Sequence, residues 1–557
     1  MAFDLARFRD LAFARAPLPD HPMQTEEEAK KLIGLLPDND PGHALAELTQ
    51  WTASLNATSE FTPGRRARIL QLLDDASRVL WRELGQQYLA PAGAPIEAMD
   101  GDAAILRAMA DSASEFANGL AIVLDTGEEG SKLVAENYAL LSGRTLRWLG
   151  RRLALTYMLQ GAHATAIWER LHRRFRLAVA RGVVRDMFPA HRGAHYNSST
   201  QIEYVRALLL ELAHPDALRP RDIELVYRIA ARAAPAVRLE TERSDEANFA
   251  VVALADGRPN KAALLKKKAE APWYIATANC LQRLRGLLER DLGRDPAEED
   301  TLFGRGFTIR ERNAMVKRVL EHWGLDPPVR RAQRVPMAAP ARVLGGFENV
   351  VTVIPALDKG TPGDAAAARR ELQLKLDQTS KTLSRAKLRA GRVGAARVID
   401  ASAGGLGVAI KRADAPWASH GALLAIKIEP GNDWFLGVLR RIFSIEDELR
   451  LGVQILAARP HVVALRTETV KRDEVWEEAM RFEATFKEHY QRGILCEAQR
   501  LPLKGGEMLL TPKLGGRGTQ FNIPLAQGGE QRIRIERLLE NTLHYQRVVF
   551  ESLGDKH

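Results

Sequence analysis

The sequence predicts a multidomain α+β protein with an all-α N-terminal domain, a small antiparallel β-barrel carrying a helical insertion, and a small C-terminal β module. Three observations predict it. A chain of 557 residues exceeds what one hydrophobic core supports. Residues 1–326 repeat apolar positions at three and four between helix breakers, the spacing of amphipathic helices. Beyond Asp326-Pro-Pro328 the texture changes to short β-forming runs separated by glycine and proline corners. The expected boundaries are 1–326, then 327–474 with the insertion at 364–390, then 475–557.

In the first region, residues 67–84 place Ile69, Leu70, Leu73, Leu80 and Leu84 on one face. Residues 146–184 do the same with Leu149, Leu153, Tyr157, Ile167, Leu171 and Phe175. Further helices are expected near 201–212, 221–233, 273–292 and 309–323, with breakers at Pro215, Pro259 and Pro296 between them. No fixed period of the kind helical solenoids show is evident.

After the two prolines a basic cluster, Arg330, Arg331 and Arg334, leads across the boundary. Phe347–Ile354 is β-branched and reads as a strand, and 364–390 is an alanine- and charge-rich helix. Strands are then expected at 397–400, 406–410, 423–429, 434–443 and 449–456, which is how a small antiparallel barrel reads. An amphipathic helix over 475–490 precedes the last β-rich segment.

Composition bounds the function. A hydrophobic share of 46% with 27% charged residues is that of a soluble globular protein. No apolar run approaches the ~18 residues that span a bilayer, and the N-terminus has no signal-peptide core, so the chain is expected in the cytoplasm. Two distant cysteines, Cys280 and Cys496, suggest neither a disulfide framework nor a zinc site. The net charge of +10 suits an anionic ligand, but over 557 residues it is too thin to make nucleic acid the expected main partner.

The stretch that organises the chain is 398–408, where two β-like runs meet at a polar, glycine-rich corner. Asp400 and Ser402 are spaced i, i+2, so both can face one side of a strand. Gly404 and Gly405 offer backbone that tolerates positive φ and close ligand approach. Asp400-x-Ser402-x-x-Gly405, with Arg330-x-x-x-Arg334 immediately before a first strand and a closing hairpin over 436–454, resembles the PilZ family. The likeness covers roughly residues 328–460. It implies a receptor with no catalytic residue and no metal, in which Arg330, Arg331, Arg334, Asp400, Ser402, Gly404 and Gly405 bind cyclic di-GMP. The implied role is bacterial second-messenger signalling, with an unidentified protein partner meeting the helical domain. The gap between Arg334 and Asp400 is longer than the family's, which the insertion explains. Arg385 and Arg389, inside that insertion, form a second candidate arm, but Arg330 and Arg334 are favoured.

The alternatives are a PilZ-like adaptor that has lost nucleotide binding, and an RNA-binding regulator using the basic helix 170–181. That helix reads more simply as a charged face over a packed stripe of Leu171, Phe175 and Ala178. Gly405-Leu-Gly407-Val-Ala-Ile-Lys411 imitates kinase fragments, yet no His-Arg-Asp or Asp-Phe-Gly follows. Neither a Walker-type loop nor a dinucleotide fingerprint is present. His191 and His195 sit at i, i+4 in a loop context with no acid at ligand spacing, so a metal site is not expected there.

Overall fold

The computed structural model describes residues 19–88, 99–127, 131–160, 164–191, 196–253, 257–264, 272–328, 334–357, 393–431, 433–467, 491–496, 503–524, 529–542 and 544–556. The chain divides into two compact units, Met1–Val329 and Arg330–His557. The insertion expected at 364–390 and the helix expected at 475–490 lie outside the described residues, as do Arg330, Arg331, Arg385 and Arg389.

The first unit is built on helices α1 (Glu26–Ile33), α2 (Pro41–Ala57), α3 (Pro63–Tyr88), α4 (Met99–Gly127), α5 (Lys132–Glu136), α6 (Tyr138–Met158), α7 (Ala164–Ala180), α8 (Thr200–Leu212), α9 (Pro220–Ala233), α10 (Ala278–Arg290) and α11 (Ile309–His322). Local chemistry starts several of them. Thr25 with Glu28, and Thr308 with Glu311, form reciprocal capping boxes, while Asp40 caps α2 ahead of Pro41. The periodic run over 146–184 falls into α6 and α7, and Gln160, just past the end of α6, takes a left-handed φ of 58°.

Helix α6 is the axis of this unit, buried on nearly every side. Its arginines can lie there because neighbouring elements supply carboxylates. Arg144 donates to Asp74 of α3 at 2.7 Å, Arg147 to Glu203 of α8 at 2.8 Å, and Arg151 to Glu224 of α9. Around them Trp168, Tyr204, Tyr227, Phe116 and Phe175 are fully buried. The basic helix α7 follows the simpler reading. Leu171, Phe175 and Ala178 are buried, and Arg174 donates to Asp125 at 2.8 Å.

The first unit is not all-α, which corrects the expectation. Strands β1 (Phe188–Pro189) and β2 (Asn197–Ser198) form a short ribbon. Strands β3 (Arg238–Glu240), β4 (Phe249–Val252), β5 (Asn260–Lys261) and β6 (Pro272–Ala276) form a sheet in the order β3-β6-β4-β5. The helix expected from residue 273 starts at Ala278. Trp273, Tyr274 and Ile275 are aromatic and β-branched and pair across to β4, so the ladder claims them before the helix begins.

The second unit holds two closed antiparallel barrels. The first comprises β7 (Val335–Gly345), β8 (Gly394–Ser402), β9 (Gly405–Lys411), β10 (Leu423–Ile428), β11 (Trp434–Ile445) and β12 (Glu448–Ala458), ordered β10-β11-β12-β9-β8-β7. Alternation fills it: Leu406, Val408 and Ile410 of β9 meet Leu449, Leu451 and Val453 of β12 in its core. The second barrel comprises β13 (His461–Thr467), β14 (Gln491–Leu495), β15 (Gly505–Leu510), β16 (Gln520–Pro524), β17 (Glu530–Asn541) and β18 (Gln546–Lys556), ordered β13-β14-β15-β18-β17-β16.

Phe347–Ile354 is not the strand expected of it but belongs to helix α12 (Phe347–Leu357). Phe347, Val350, Val351 and Ile354 are spaced for one helical face, and all four are buried where the two barrels meet. Burial of that face outweighs the β preference of its valines. The first strand of the barrel is instead β7, which follows Arg334 directly and carries the prolines Pro336 and Pro340.

Candidate functional site

The corner read from the sequence is a β-hairpin. Strand β8 ends at Ser402, Ala403 and Gly404 turn, and β9 begins at Gly405. Ser402 pairs with Gly405 and Asp400 with Gly407. Between Val398 and Asp400 the register shifts by a bulge. Without that extra residue Asp400 would share the inward face of Val398, which is fully buried in the barrel core. The bulge turns Asp400 outward together with Ser402.

Arg334 meets Asp400 there. Its Nη1 donates to both carboxylate oxygens, at 2.7 and 2.9 Å, and both side chains remain partly exposed. The contact follows from register: Pro336, two residues after Arg334, pairs with Asp400 across the β7–β8 ladder. Ser402 Oγ donates to the carbonyl of Gly405 at 3.3 Å. Of the seven residues expected at the site, Arg334, Asp400, Ser402, Gly404 and Gly405 are thus gathered at one corner. Arg330 and Arg331 fall outside the described residues.

The glycines do something other than expected. Neither Gly404 nor Gly405 adopts a positive φ. Gly405 is required by space, since a Cβ there would stand 2.5 Å from the Val453 carbonyl of the neighbouring strand. Gly404 has open space where a Cβ would go. Gly405→Val is therefore expected to push β9 away from β12 and lower the melting temperature by several degrees. Gly404→Ala should leave it within the ±0.5 kcal/mol usual for surface changes. Thermal unfolding of both variants checks the contrast.

Sequence reasoning missed a further row. Register sets Asp400, Gly407, Gly452 and Arg441 side by side on β8, β9, β12 and β11. At ~4.8 Å per strand this row spans about 14 Å. A Cβ on Gly407 would lie 2.7 Å from the Asp400 carboxylate, and one on Gly452 would lie 2.9 Å from Cβ of Arg441. Two glycines in strand interiors thus let the carboxylate from one side and the arginine stem from the other lie flat on the sheet. The detectable signal was glycine at outward positions of two strands whose alternate residues are all apolar.

The outer face of these strands is rich in cations. Arg397 and Arg450 approach Glu448 at 3.8 and 3.7 Å, and Arg440 Nε donates to Gln454 Oε1 at 2.8 Å. Such a face, with a carboxylate at one end and guanidinium groups around it, can accept from the N–H edge of a base while holding anionic phosphates.

Residues 27–245 match the family model described as the N-terminal domain of the cyclic-di-GMP receptor FimW. No curated protein matches the chain. The matched span begins within α1 and ends after β3, in the helical unit. The barrel bearing Asp400 lies outside it. The match and the barrel corner therefore concern different units of the chain.

No group of three or more His, Cys, Asp or Glu among the described residues could hold a metal. His191 contacts Tyr196 edge-on at 6.0 Å, and His195 is outside the described residues. No described helix is long and apolar enough to cross a membrane.

Proposed function

We propose that the chain is a non-enzymatic, cytoplasmic receptor for cyclic di-GMP, in which a PilZ-like first barrel binds the second messenger and alters the contacts of the helical domain with a protein partner. The observation that carries this reading is the meeting of Arg334 and Asp400 beside the glycine floor, two residues 66 positions apart that have no core to serve there. The receptor family matched by the helical unit supports the same ligand.

The chemistry fits the residues. Asp400 accepts from N1–H and N2–H of a guanine, while an arginine fork meets O6 and N7 of a base, and Ser402 reaches a base edge or a phosphate. Arg330, Arg331 and Arg334 form the arm, Gly404 leaves clearance at the corner, and Gly405 lets β9 lie close against β12 beneath it. Arg334 holds Asp400 in place. A partly exposed ion pair of this kind is worth about 0–1 kcal/mol, so exchanging it for ligand contacts costs little.

A barrel that had lost nucleotide binding would keep the same pair as a strut, and titration separates the two readings. Calorimetry should show cyclic di-GMP bound and cyclic di-AMP discriminated against, because guanine offers adjacent N1–H and N2–H donors to Asp400 where adenine presents an N1 acceptor beside its amino group. Asp400→Ala should weaken binding by about 1.5–3 kcal/mol with the circular dichroism spectrum unchanged. Wild-type affinity in a folded Asp400→Ala protein would sink the assignment.

A further inference from the structure

One arginine of the same face also reaches beyond the first barrel. Arg440 of β11 joins two things at once. Its Nε donates to Gln454 Oε1 at 2.8 Å, and Gln454 is paired with Gly405, the floor of the corner. Its Nη2 donates to Glu540 Oε1 of β17 at 3.1 Å, so the same guanidinium reaches into the second barrel. The other oxygen of Glu540 accepts from the Tyr545 hydroxyl at 2.5 Å. Tyr545 is fully buried in the cluster that joins the two barrels, among Leu436, Val438, Cys496 and Leu509.

We infer that Arg440 is a phosphodiester-binding residue that exchanges Glu540 for a ligand phosphate, so that the second barrel senses whether the corner is occupied. The inference rests on the receptor reading above. Three features make the exchange cheap. Arg440 and Glu540 are 39% and 31% exposed, so water screens their pair and little is lost on parting. The hydrogen bond to Gln454 keeps the guanidinium on the ligand side once Glu540 is released. Glu540 is not stranded either, because it retains Tyr545 and stands opposite Arg547 in the β17–β18 ladder. Burial, with help from the Glu540 carboxylate, pushes the Tyr545 phenol upward, so it stays a protonated donor throughout.

A shared partner implies reciprocal coupling: whatever weakens the Arg440–Glu540 pair strengthens ligand binding, and ligand binding loosens β17 from β11. Three proteins test this by calorimetry with cyclic di-GMP: wild type, Glu540→Gln and Arg440→Ala. Glu540→Gln should bind about three- to fivefold more tightly, since a neutral amide competes poorly for the guanidinium. Arg440→Ala should bind about tenfold more weakly, the loss of one charge-assisted contact. Hydrogen exchange supplies a readout beyond affinity. Saturating ligand should speed exchange of amides around the β17–β18 turn in wild type but not in Arg440→Ala. Wild-type protein that binds no cyclic di-GMP would overturn the receptor reading and this inference with it. Wild type that binds, with both variants matching its affinity and its exchange pattern, would overturn the inference alone.

Discussion

Glu224→Gln should destabilise the helical unit by about 3 kcal/mol, read as a lower urea midpoint for the transition of that unit. Glu224 is buried in the second turn of α9, where its two oxygens accept from Arg151 of α6 and from Arg228 Nε, the latter at 2.7 Å. Burial by itself would raise this carboxyl. The two guanidinium groups more than reverse that and hold it down at about 2. Gln keeps the shape and removes the charge, leaving two guanidinium groups converging on a neutral amide. The pH dependence has a definite sign. A carboxylate depressed from ~4.3 in the unfolded chain contributes stability that is complete above that value. The contribution is lost as pH falls through the folded value of about 2. The gap between wild type and Glu224→Gln should therefore be constant from about pH 7 to about pH 5 and shrink below about pH 4. A gap that widened in acid would mean that the carboxyl is not held ionised by its arginines.

The barrel strands were legible because their cores are single-faced. Leu406, Val408 and Ile410, or Leu449, Leu451 and Val453, alternate with small or polar residues, and a period of two has one structural meaning over that length. Phe347–Leu357 was not legible in the same way. Its valines and isoleucine favour strands, and only the burial of Phe347, Val350, Val351 and Ile354 between the barrels selects the helix. The sheet of the first unit was hidden for a related reason: strands of two to five residues are too short to establish a period beside long helices. At the site, residue types were readable and geometry was not. Asp400 and Ser402 could be placed on one face by spacing, but the bulge that turns that face outward leaves no mark on composition. Gly405 suggests backbone freedom and ligand approach by its type, yet the room it supplies is for the Val453 carbonyl of β12, while Gly407 and Gly452 have meaning only once the register of four strands is known.

Arg330→Ala combined with Arg334→Ala should abolish measurable cyclic di-GMP binding, whereas Arg385→Ala with Arg389→Ala should bind within a few fold of wild type. Arg334 immediately precedes β7, and its guanidinium already lies on the Asp400 carboxylate. It is thus anchored at the corner by the β7–β8 register, in which Val335 pairs with Ala401 and Pro336 with Asp400. An arm must also close over its ligand, and Arg330 follows the helix-breaking Pro327 and Pro328 in sequence, four positions ahead of that anchor. Lysine could not replace these residues equally, because bidentate contact with O6 and N7 needs the planar fork. Each lost bidentate contact is worth about 1–3 kcal/mol, so the two together, at about 4–6 kcal/mol in the upper part of that range, carry a micromolar ligand into the millimolar range that calorimetry does not register. Removing Arg334 also frees Asp400 from its partner, which by itself would favour ligand access to the carboxylate. The prediction is that the lost arginine contacts outweigh this gain, since the pair it releases is worth no more than about 1 kcal/mol. Titration of both double variants decides the matter. Near-normal binding by the Arg330/Arg334 variant, with loss in the Arg385/Arg389 variant, would move the arm onto the segment between β7 and β8 and leave the Arg334–Asp400 pair as a strut of the barrel.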